Sequence, residues 1–215
     1  MNLVNKIVAL AFGVTTAACV PASGDSSWRW VNPLPNGNFV SGLIYDGRQF
    51  IGVDDAGNVD SSSDGVTWVS HPTGSASLHA LATDGSHYVA VGFSGQIRTS
   101  DDGVTWTAKT SPTTETLWAV TWTGTQFVAV GGTWNGDPDS GDAVILTSPD
   151  GAAWTVQAPP AGTTTQLFAL TWDGKQLVAV GFYGTVATSP DGVTWTAHSS
   201  GSQDQLDSVR KEARA

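Results

Sequence analysis

The sequence predicts an all-β fold: a β-propeller of four-stranded antiparallel blades, with about four complete repeats in a ring that is either closed or incomplete. Three observations support this prediction. A seven-residue motif occurs four times, with successive motif tryptophans 38, 48 and 41 residues apart. Tight-turn dipeptides such as Asp-Gly separate two apolar runs in each repeat, a pattern typical of β-hairpins. The chain has ten Trp and twenty-five Gly and is only 13% charged, which favours short strands and tight turns.

Each motif is a short polar stretch that ends in tryptophan. The four copies read SSDGVTW, SDDGVTW, SPDGAAW and SPDGVTW. We expect the aspartate to accept hydrogen bonds from backbone N–H groups, the glycine to supply unusual backbone angles, and the tryptophan to fill the space between neighbouring sheets. A ring of ligand-binding tryptophans is the weaker alternative. The predicted structural residues are Asp64, Gly65, Trp68, Asp102, Gly103, Trp106, Asp150, Gly151, Trp154, Asp191, Gly192 and Trp195.

Four strands, A to D, can be assigned to each repeat. In the third repeat, strand A covers 117–122 and strand B covers 126–130. The turn between them is expected to be of type I′, strand C ends at the motif, and strand D carries the motif tryptophan. One such meander cannot bury both of its faces, whereas radial stacking of several can, so a propeller is predicted. A parallel β-helix is the competing architecture, but its wide turns lack such hairpins.

The resemblance of the motif is to the Asp-box, or bacterial neuraminidase repeat, whose pattern is S-x-D-x-G-x-T-W. Here one residue before the glycine is missing. The resemblance covers residues 30–209 and implies a sialidase-like β-propeller superfamily, here a non-enzymatic exported bacterial repeat protein. Sialidases, glucanases, sorting receptors and assembly factors share the motif, so it implies architecture rather than function. It also implies that the motifs lie on the face opposite an active site.

The first 22 residues are predicted to be a signal peptide. Lys6 precedes the apolar run 7–14, and a small-residue stretch follows it up to Cys19, the only cysteine. The apolar run is too short to cross a membrane as a helix. Lipobox-like cleavage would make Cys19 the lipidated N-terminus, and ordinary cleavage after Ala22 is the alternative. The protein is therefore expected to be exported, as an outer-membrane or cell-envelope lipoprotein or in a secreted or periplasmic form.

The rest of the chain divides into repeats. Residues 23–209 contain the repeats 31–68, 69–106, 107–154 and 155–195 and a partial repeat 196–209, and 210–215 form a tail.

Both ends of this repeat region look incomplete. Residues 206–209 match the start of a strand A, and residues 28–30 match a strand D without its A, B and C. We consider a four-bladed ring with loose ends, a truncated fragment of a longer propeller, and self-association through open blade edges. On this hypothesis, deleting 204–215 should cost little stability.

One loop departs from the repeat pattern. The stretch 131–141, between strands B and C of the third repeat, is seven residues longer than 92–95 and 181–184 in its neighbours. In propellers such loops share a face with the connectors from strand D to the next strand A, and that face usually carries the ligand. The predicted ligand-binding residues are Trp134 in the long loop and Phe93, Phe182 and Tyr183 in its counterparts.

The long loop also carries alternating carboxylates. Asp137, Asp139 and Asp142 lie among glycines, a pattern that resembles calcium-binding loops because Ca²⁺ takes six to eight oxygen ligands. No bidentate Glu follows at the expected spacing, so a solvated acidic loop is the alternative. No cofactor is expected, and calcium at this loop is the alternative.

The charged residues argue against catalysis. A sialidase needs an arginine cluster to clamp a carboxylate, yet the repeats hold only Arg48 and Arg98, at non-equivalent places, and a single glutamate, Glu115. The net charge of −10 argues against nucleic acid as a partner and leaves a lipid anchor as the expected membrane contact. We expect a binding or scaffold module for a glycan or protein partner. A minimal or degenerate sialidase-like glycoside hydrolase is the alternative.

Overall fold

The computed structural model describes residues 37–133, 142–163 and 165–210, together with the backbone of two short strands. These strands, β1 (Cys19–Pro21) and β2 (Trp28–Trp30), pair antiparallel, with Cys19 opposite Trp30. The remainder of the predicted signal peptide lies outside the described residues, as do 211–215 of the tail. Within the described part of the chain, no helix is both long and apolar enough to cross a membrane.

Four antiparallel sheets of four strands each make up the rest of the fold, and we call them blades 1 to 4. Blade 1 contains β3 (Val40–Tyr45), β4 (Phe50–Asp54), β5 (Asn58–Ser62) and β6 (Val69–Pro72). Blade 2 contains β7 (Leu78–Thr83), β8 (Tyr88–Gly92), β9 (Ile97–Ser100) and β10 (Thr107–Ala108). Blade 3 contains β11 (Leu117–Trp122), β12 (Phe127–Thr133), β13 (Asp142–Ser148) and β14 (Thr155–Gln157). Blade 4 contains β15 (Leu167–Trp172), β16 (Leu177–Gly181), β17 (Thr185–Ser189) and β18 (Thr196–Ser199).

The fourth strand of each blade begins one residue after the motif tryptophan. Val69 opens β6 directly after Trp68, and Thr107 opens β10 directly after Trp106. The prediction that strand D carries the tryptophan is therefore wrong. The reason is that the indole closes the turn: Trp106 Nε1 donates to the carbonyl of Gly103 at 3.2 Å. Repeats counted from Trp to Trp accordingly end just before the last strand of each blade.

The hairpins between strands A and B are present, but they are not two-residue turns. In blade 1, Tyr45 pairs with Phe50, which leaves a four-residue loop. Within that loop only Gly47 has a positive φ, so the type I′ prediction is wrong. The carboxylate of Asp46 closes the longer loop instead, because its Oδ1 accepts the N–H groups of Arg48 and Gln49, both at 2.7 Å.

The hydrophobic core lies between the blades. Each interface joins one face of a blade to the opposite face of the next blade along the chain, and the innermost strands β3, β7, β11 and β15 contact one another in sequence. The first face carries Ile or Val at three places, listed for blades 1 to 3: Ile51, Val53 and Val59; Val89, Val91 and Ile97; Val128, Val130 and Ile145. The second face carries an aliphatic residue, a large apolar residue and the motif tryptophan, listed for blades 2 to 4: Leu81, Tyr88 and Trp106; Val120, Phe127 and Trp154; Leu170, Leu177 and Trp195.

The segment after blade 4 differs from the prediction. Residues 206–209 form no strand. The segment nevertheless docks on blade 4, because the N–H of Gly184 donates to the Asp204 carbonyl at 2.7 Å and the N–H of Leu206 donates to the Gly181 carbonyl at 3.0 Å. Since these bonds tie residues 204–206 to the blade, deletion of 204–215 should cost more stability than the sequence suggested.

Candidate functional site

The motif aspartates are structural. Asp102 Oδ1 accepts the N–H groups of Val104 and Thr105, at 2.8 and 2.7 Å, and the hydroxyl of Ser100 at 2.9 Å. These hydrogen bonds, led by the one from Thr105, lower the pKa of Asp102 from 3.8 to about 2. Asp64, Asp150 and Asp191 make the same set of bonds in their own blades.

In blades 2 and 4 the motif also docks on the A–B hairpin of the preceding blade. Gln126 Nε2, in the hairpin of blade 3, donates to the Asp191 carbonyl in the motif of blade 4 at 2.6 Å. Gln49 stands in the same relation to Asp102, at 3.5 Å. The motifs and the A–B hairpins therefore share one end of the blades, which we call the motif end.

The opposite end, which we call the loop end, carries the B–C turns and the D–A connectors. A Cβ on Gly95, in the B–C turn of blade 2, would lie 2.1 Å from the carbonyl oxygen of Thr113 in the following connector. A Cβ on Gly184, in the B–C turn of blade 4, would lie equally close to the carbonyl oxygen of Ser202 in the connector that follows that blade. The prediction that these two kinds of loop share a face is confirmed.

Two B–C turns at the loop end present aromatic side chains. The short 3-10 turns Phe93–Gly95 and Phe182–Gly184 connect strands B and C in blades 2 and 4. Phe93 is 53% exposed and Tyr183 is 42% exposed. Tyr183 adopts a φ of 52°, a left-handed conformation that costs a non-glycine residue about 1–2 kcal/mol. Ser94 adopts the same conformation in the equivalent turn of blade 2, with a φ of 53°, so this backbone geometry belongs to the turn rather than to the aromatic side chain.

A β-bulge near the start of each strand A adds a second set of side chains. The pairing of strands A and B shifts register at the second residue of each strand A, and these residues are Ser41, His79, Trp118 and Phe168. Because neighbouring A strands contact one another, three bulged side chains meet across blades 2 to 4. The rings of His79 and Trp118 lie 4.4 Å apart, and those of Trp118 and Phe168 lie 5.7 Å apart.

The bulge residues and one of the B–C turns form a continuous set of rings. Phe168 contacts Phe182 edge to face at 4.9 Å, and Phe182 lies 5.8 Å from Tyr183. We call His79, Trp118, Phe168, Phe182 and Tyr183 the aromatic band. It runs across the inner strands of blades 2 to 4 and ends at the exposed ring of Tyr183.

Two polar atoms in the aromatic band are buried without a hydrogen-bond partner: Nε2 of His79 and Nε1 of Trp118. Burial of the imidazole also lowers the pKa of His79 below its ordinary value of 6.5. A buried N–H without a partner costs about 1–3 kcal/mol, and a ligand whose binding exposes that N–H to an acceptor would recover the loss. The band therefore combines apolar ring surface with unused hydrogen-bonding capacity.

Blade 1 shows that the fold does not need these aromatic residues. Its bulge residue is Ser41. Its B–C turn is closed by Asp54, whose Oδ1 accepts the N–H groups of Ala56 and Asn58 at 3.0 and 2.7 Å. The same backbone positions therefore tolerate small and polar side chains. In the sequence, His79, Trp118 and Phe168 occupy the second position of strand A, which is one of several variable positions in that strand.

Of the four predicted site residues in the long loop of blade 3, the structure describes Asp142. Trp134, Asp137 and Asp139 lie outside the described residues. Asp142 is the first residue of β13 and pairs with Thr133 through the backbone. Among the residues that the structure describes, no group of three His, Cys, Asp or Glu side chains could hold a metal ion. Thr133 and Asp142, the residues that flank the loop, end strand B and begin strand C of blade 3, so these two residues lie at the loop end.

A pair resembling a nucleophile and its base proves to be a repeated structural contact. Ser61 Oγ lies 2.9 Å from His71 Nε2, across strands C and D of blade 1. Blade 4 has Thr188 and His198 at the equivalent places, 2.8 Å apart. Blade 3 places a glutamine there, bonded to Thr147 Oγ1 at 2.8 Å. A glutamine cannot act as a base, so the repeated pair indicates cross-strand stabilisation.

Comparison with known proteins bears on the fold. No protein-family model and no curated protein matches this sequence. Among solved structures, the chain is similar to YCF48 from Cyanidioschyzon merolae, with a TM-score of 0.60 and 18% sequence identity. The match covers 78% of this chain and 58% of that one. The chain folds as a β-propeller. At this identity the likeness shows the fold alone, and the Asp-box resemblance stays a prediction.

Proposed function

We propose that this β-propeller is an exported, non-enzymatic binding module that recognises a glycan through the aromatic band at its loop end. The single observation that carries the proposal is the row of rings from His79 to Tyr183. At the equivalent positions blade 1 has a serine and a turn closed by an aspartate. Because the fold does not require these rings, their presence on three successive blades needs another reason.

The chemistry of the band suits a sugar. The C–H face of a pyranose packs on the negative face of an aromatic ring, and its hydroxyls accept hydrogen bonds from nearby N–H groups. Trp118 offers an unpartnered N–H, and Tyr183 offers an exposed ring with a hydroxyl. Few charged side chains belong to the aromatic band, which fits a neutral ligand better than a charged one. A protein segment is the alternative ligand.

Export is the part of the proposal that rests on the signal-peptide pattern of the N-terminal residues. On the lipobox hypothesis Cys19 anchors the protein in a membrane through its lipid, and the blades project from that surface. Replacing Cys19 with Ser should move the protein from the detergent phase to the aqueous phase in a phase-partition experiment. Wild-type protein that is already aqueous and begins after Ala22 would contradict the lipid anchor.

The binding proposal can be tested with soluble oligosaccharides. A panel of chito-, cello- and malto-oligosaccharides and peptidoglycan fragments would be titrated by calorimetry against wild-type protein and the variants Trp118→Ala and Tyr183→Ala. We expect binding to weaken at least tenfold in both variants. Tyr45→Ala is the matched control, because Tyr45 is 54% exposed but lies beside an A–B hairpin at the motif end. Absence of binding across the panel, or equal affinity in all variants, would refute the proposal.

The enzymatic alternative has its own test. Chromogenic glycosides of sialic acid, glucose and N-acetylglucosamine should release no nitrophenol above the rate of a heat-denatured sample. Turnover that is lost on replacing Glu115 or an aspartate of the long loop would show that the protein is a glycoside hydrolase.

A further inference from the structure

Two faces of the described blades match the interfaces inside the molecule but have no described blade against them. Within the described chain, each blade packs on the next in sequence, and no comparable packing joins blade 1 to blade 4. Blade 4 therefore has an outer face of the type that carries Ile or Val, and blade 1 has an outer face of the type that carries the motif tryptophan. Neither face includes a member of the aromatic band.

The outer face of blade 4 repeats the Ile/Val face of the inner interfaces. Val178, Val180 and Val186 occupy the positions that Val128, Val130 and Ile145 fill in blade 3. The three residues of blade 3 are fully buried, whereas Val178 and Val186 are half-buried. This loss of burial on the same positions shows that the valine face of blade 4 is only partly covered.

The outer face of blade 1 repeats the aromatic face. Leu43, Phe50 and Trp68 occupy the positions that Val120, Phe127 and Trp154 fill in blade 3. Phe50 packs against Trp68, with the ring centroids 6.4 Å apart. All three residues are half-buried, whereas Phe127 is fully buried in its interface. One copy of the chain therefore presents both halves of the contact that joins its own blades.

Residues 204–206 prepare the valine face for a partner. Leu78, Leu117 and Leu167, the first residues of three A strands, are fully buried in the three inner interfaces. Leu206 follows its connector with the same spacing as Leu117 and is held by the bond from its N–H to the Gly181 carbonyl. Its side chain is half-buried beside blade 4. Leu206 therefore takes the position that the first residue of the next strand A takes in the inner interfaces, and Val40, its counterpart in blade 1, has to pack beside it when the two faces meet.

We infer that the valine face of blade 4 binds the aromatic face of blade 1 in a second copy of this chain, and that two copies close one ring. The contact is heterologous, because a different face is used on each side, and such contacts form either closed rings or open filaments. Two copies supply eight blades from the described part of the chain, within the range of about four to eight that propellers commonly have. A third copy would exceed that range, so a dimer is the expected assembly.

Mass in solution tests the inference. The full chain would be expressed in cells with Cys19→Ser and then purified, so that a lipid anchor cannot cause association. Size-exclusion chromatography with light scattering should give twice the monomer mass at micromolar concentration. Val186→Glu and Phe50→Glu should each give the monomer mass, because each places a charge on one of the two faces. Val156→Glu is the matched control, since Val156 lies 54% exposed on β14, away from both faces, and this variant should stay dimeric.

Cross-linking of two mixed cysteine variants tests the dimer independently if a charged variant fails to fold. Val178→Cys and Phe50→Cys place no charge on the two faces, and with Cys19 replaced each variant has a single thiol. A bis-maleimide should link a mixture of the two variants into dimers at least fivefold more efficiently than either variant alone. Wild-type protein that is monomeric at all concentrations, a filament instead of a dimer, or equal cross-linking in all three samples would overturn the inference.

Discussion

A single added methyl group should show how tightly the motif turns pack against the preceding blade. Gly151, in the motif of blade 3, has a φ of 73°, and a Cβ there would lie 2.5 Å from Val89 Cγ2 on blade 2. Gly124, in the A–B hairpin of the same blade, has a φ of 97° and nothing within 4 Å of the added atom. Alanine at Gly124 therefore measures the backbone cost alone, and alanine at Gly151 adds the steric clash.

The expected losses follow from these two terms. The left-handed backbone should cost each alanine variant about 1–2 kcal/mol in the free energy of unfolding. Overpacking against Val89 should add about 1–3 kcal/mol for Gly151→Ala, because the neighbouring side chain is fully buried and cannot easily move. Gly151→Ala should thus lose about 2–5 kcal/mol and Gly124→Ala about 1–2 kcal/mol.

Urea unfolding followed by tryptophan fluorescence gives both values. Combining Gly151→Ala with Val89→Ala removes the clash, so the double variant should lose less than the sum of the single losses by about 0.5–3 kcal/mol. Equal losses for Gly151→Ala and Gly124→Ala, or strict additivity with Val89→Ala, would refute the proposed packing of motif turns on the preceding blade.

Three further predictions concern single side chains. Asp102→Asn should lower the free energy of unfolding by about 1 kcal/mol at pH 7, because an exposed carboxylate that accepts two backbone N–H groups resembles a helix cap. The control is Asp101→Asn at the neighbouring position, which should change the free energy of unfolding little. Because the pKa of Asp102 falls from 3.8 to about 2 on folding, its contribution is present above pH 4 and should be lost as the pH falls towards 2 in acid titrations of stability. Burial lowers the pKa of His79 below 6.5, so its neutral form stabilises the fold above that pH and stability should decline as the pH falls through the lowered value. His79→Phe, which copies the residue of blade 4, should remove this part of the pH dependence; an unchanged profile would show that His79 does not titrate.

The architecture could be predicted because the chain repeats itself. Four motifs at nearly constant spacing, with apolar runs between them, specify four antiparallel meanders, and radial stacking is the arrangement that buries both faces of each. The details of the turns were less predictable. The Asp46 carboxylate accepts two backbone N–H groups and so allows a four-residue loop, whereas the dipeptide alone suggests the two-residue form. Likewise, the bond from Trp106 Nε1 to Gly103 places the tryptophan in the turn.

The candidate site was predicted in part. Phe93, Phe182 and Tyr183 were predicted because they are aromatic residues in the counterparts of the long loop, and the structure places all three at the loop end. His79 and Trp118 were missed, because the apolar pattern of strand A looks regular and gives no sign of a bulge. A register shift depends on how two strands pair, so it becomes visible only in the folded sheet.

The most direct test of the binding proposal is the resonance of one indole N–H. Protein labelled with ¹⁵N at tryptophan would show the side-chain N–H signals, and the variant Trp118→Phe would assign that of Trp118. The Nε1 of Trp118 is buried without a partner in the free protein, so a bound sugar whose oxygen accepts a hydrogen bond from it should shift this signal. The signals of Trp106, Trp154 and Trp195 should shift less, because their N–H groups already bond to motif glycines. Addition of the tightest-binding oligosaccharide of the panel should therefore move the Trp118 signal in proportion to occupancy. Saturation of the protein with that sugar while the Trp118 signal stays in place would contradict the account.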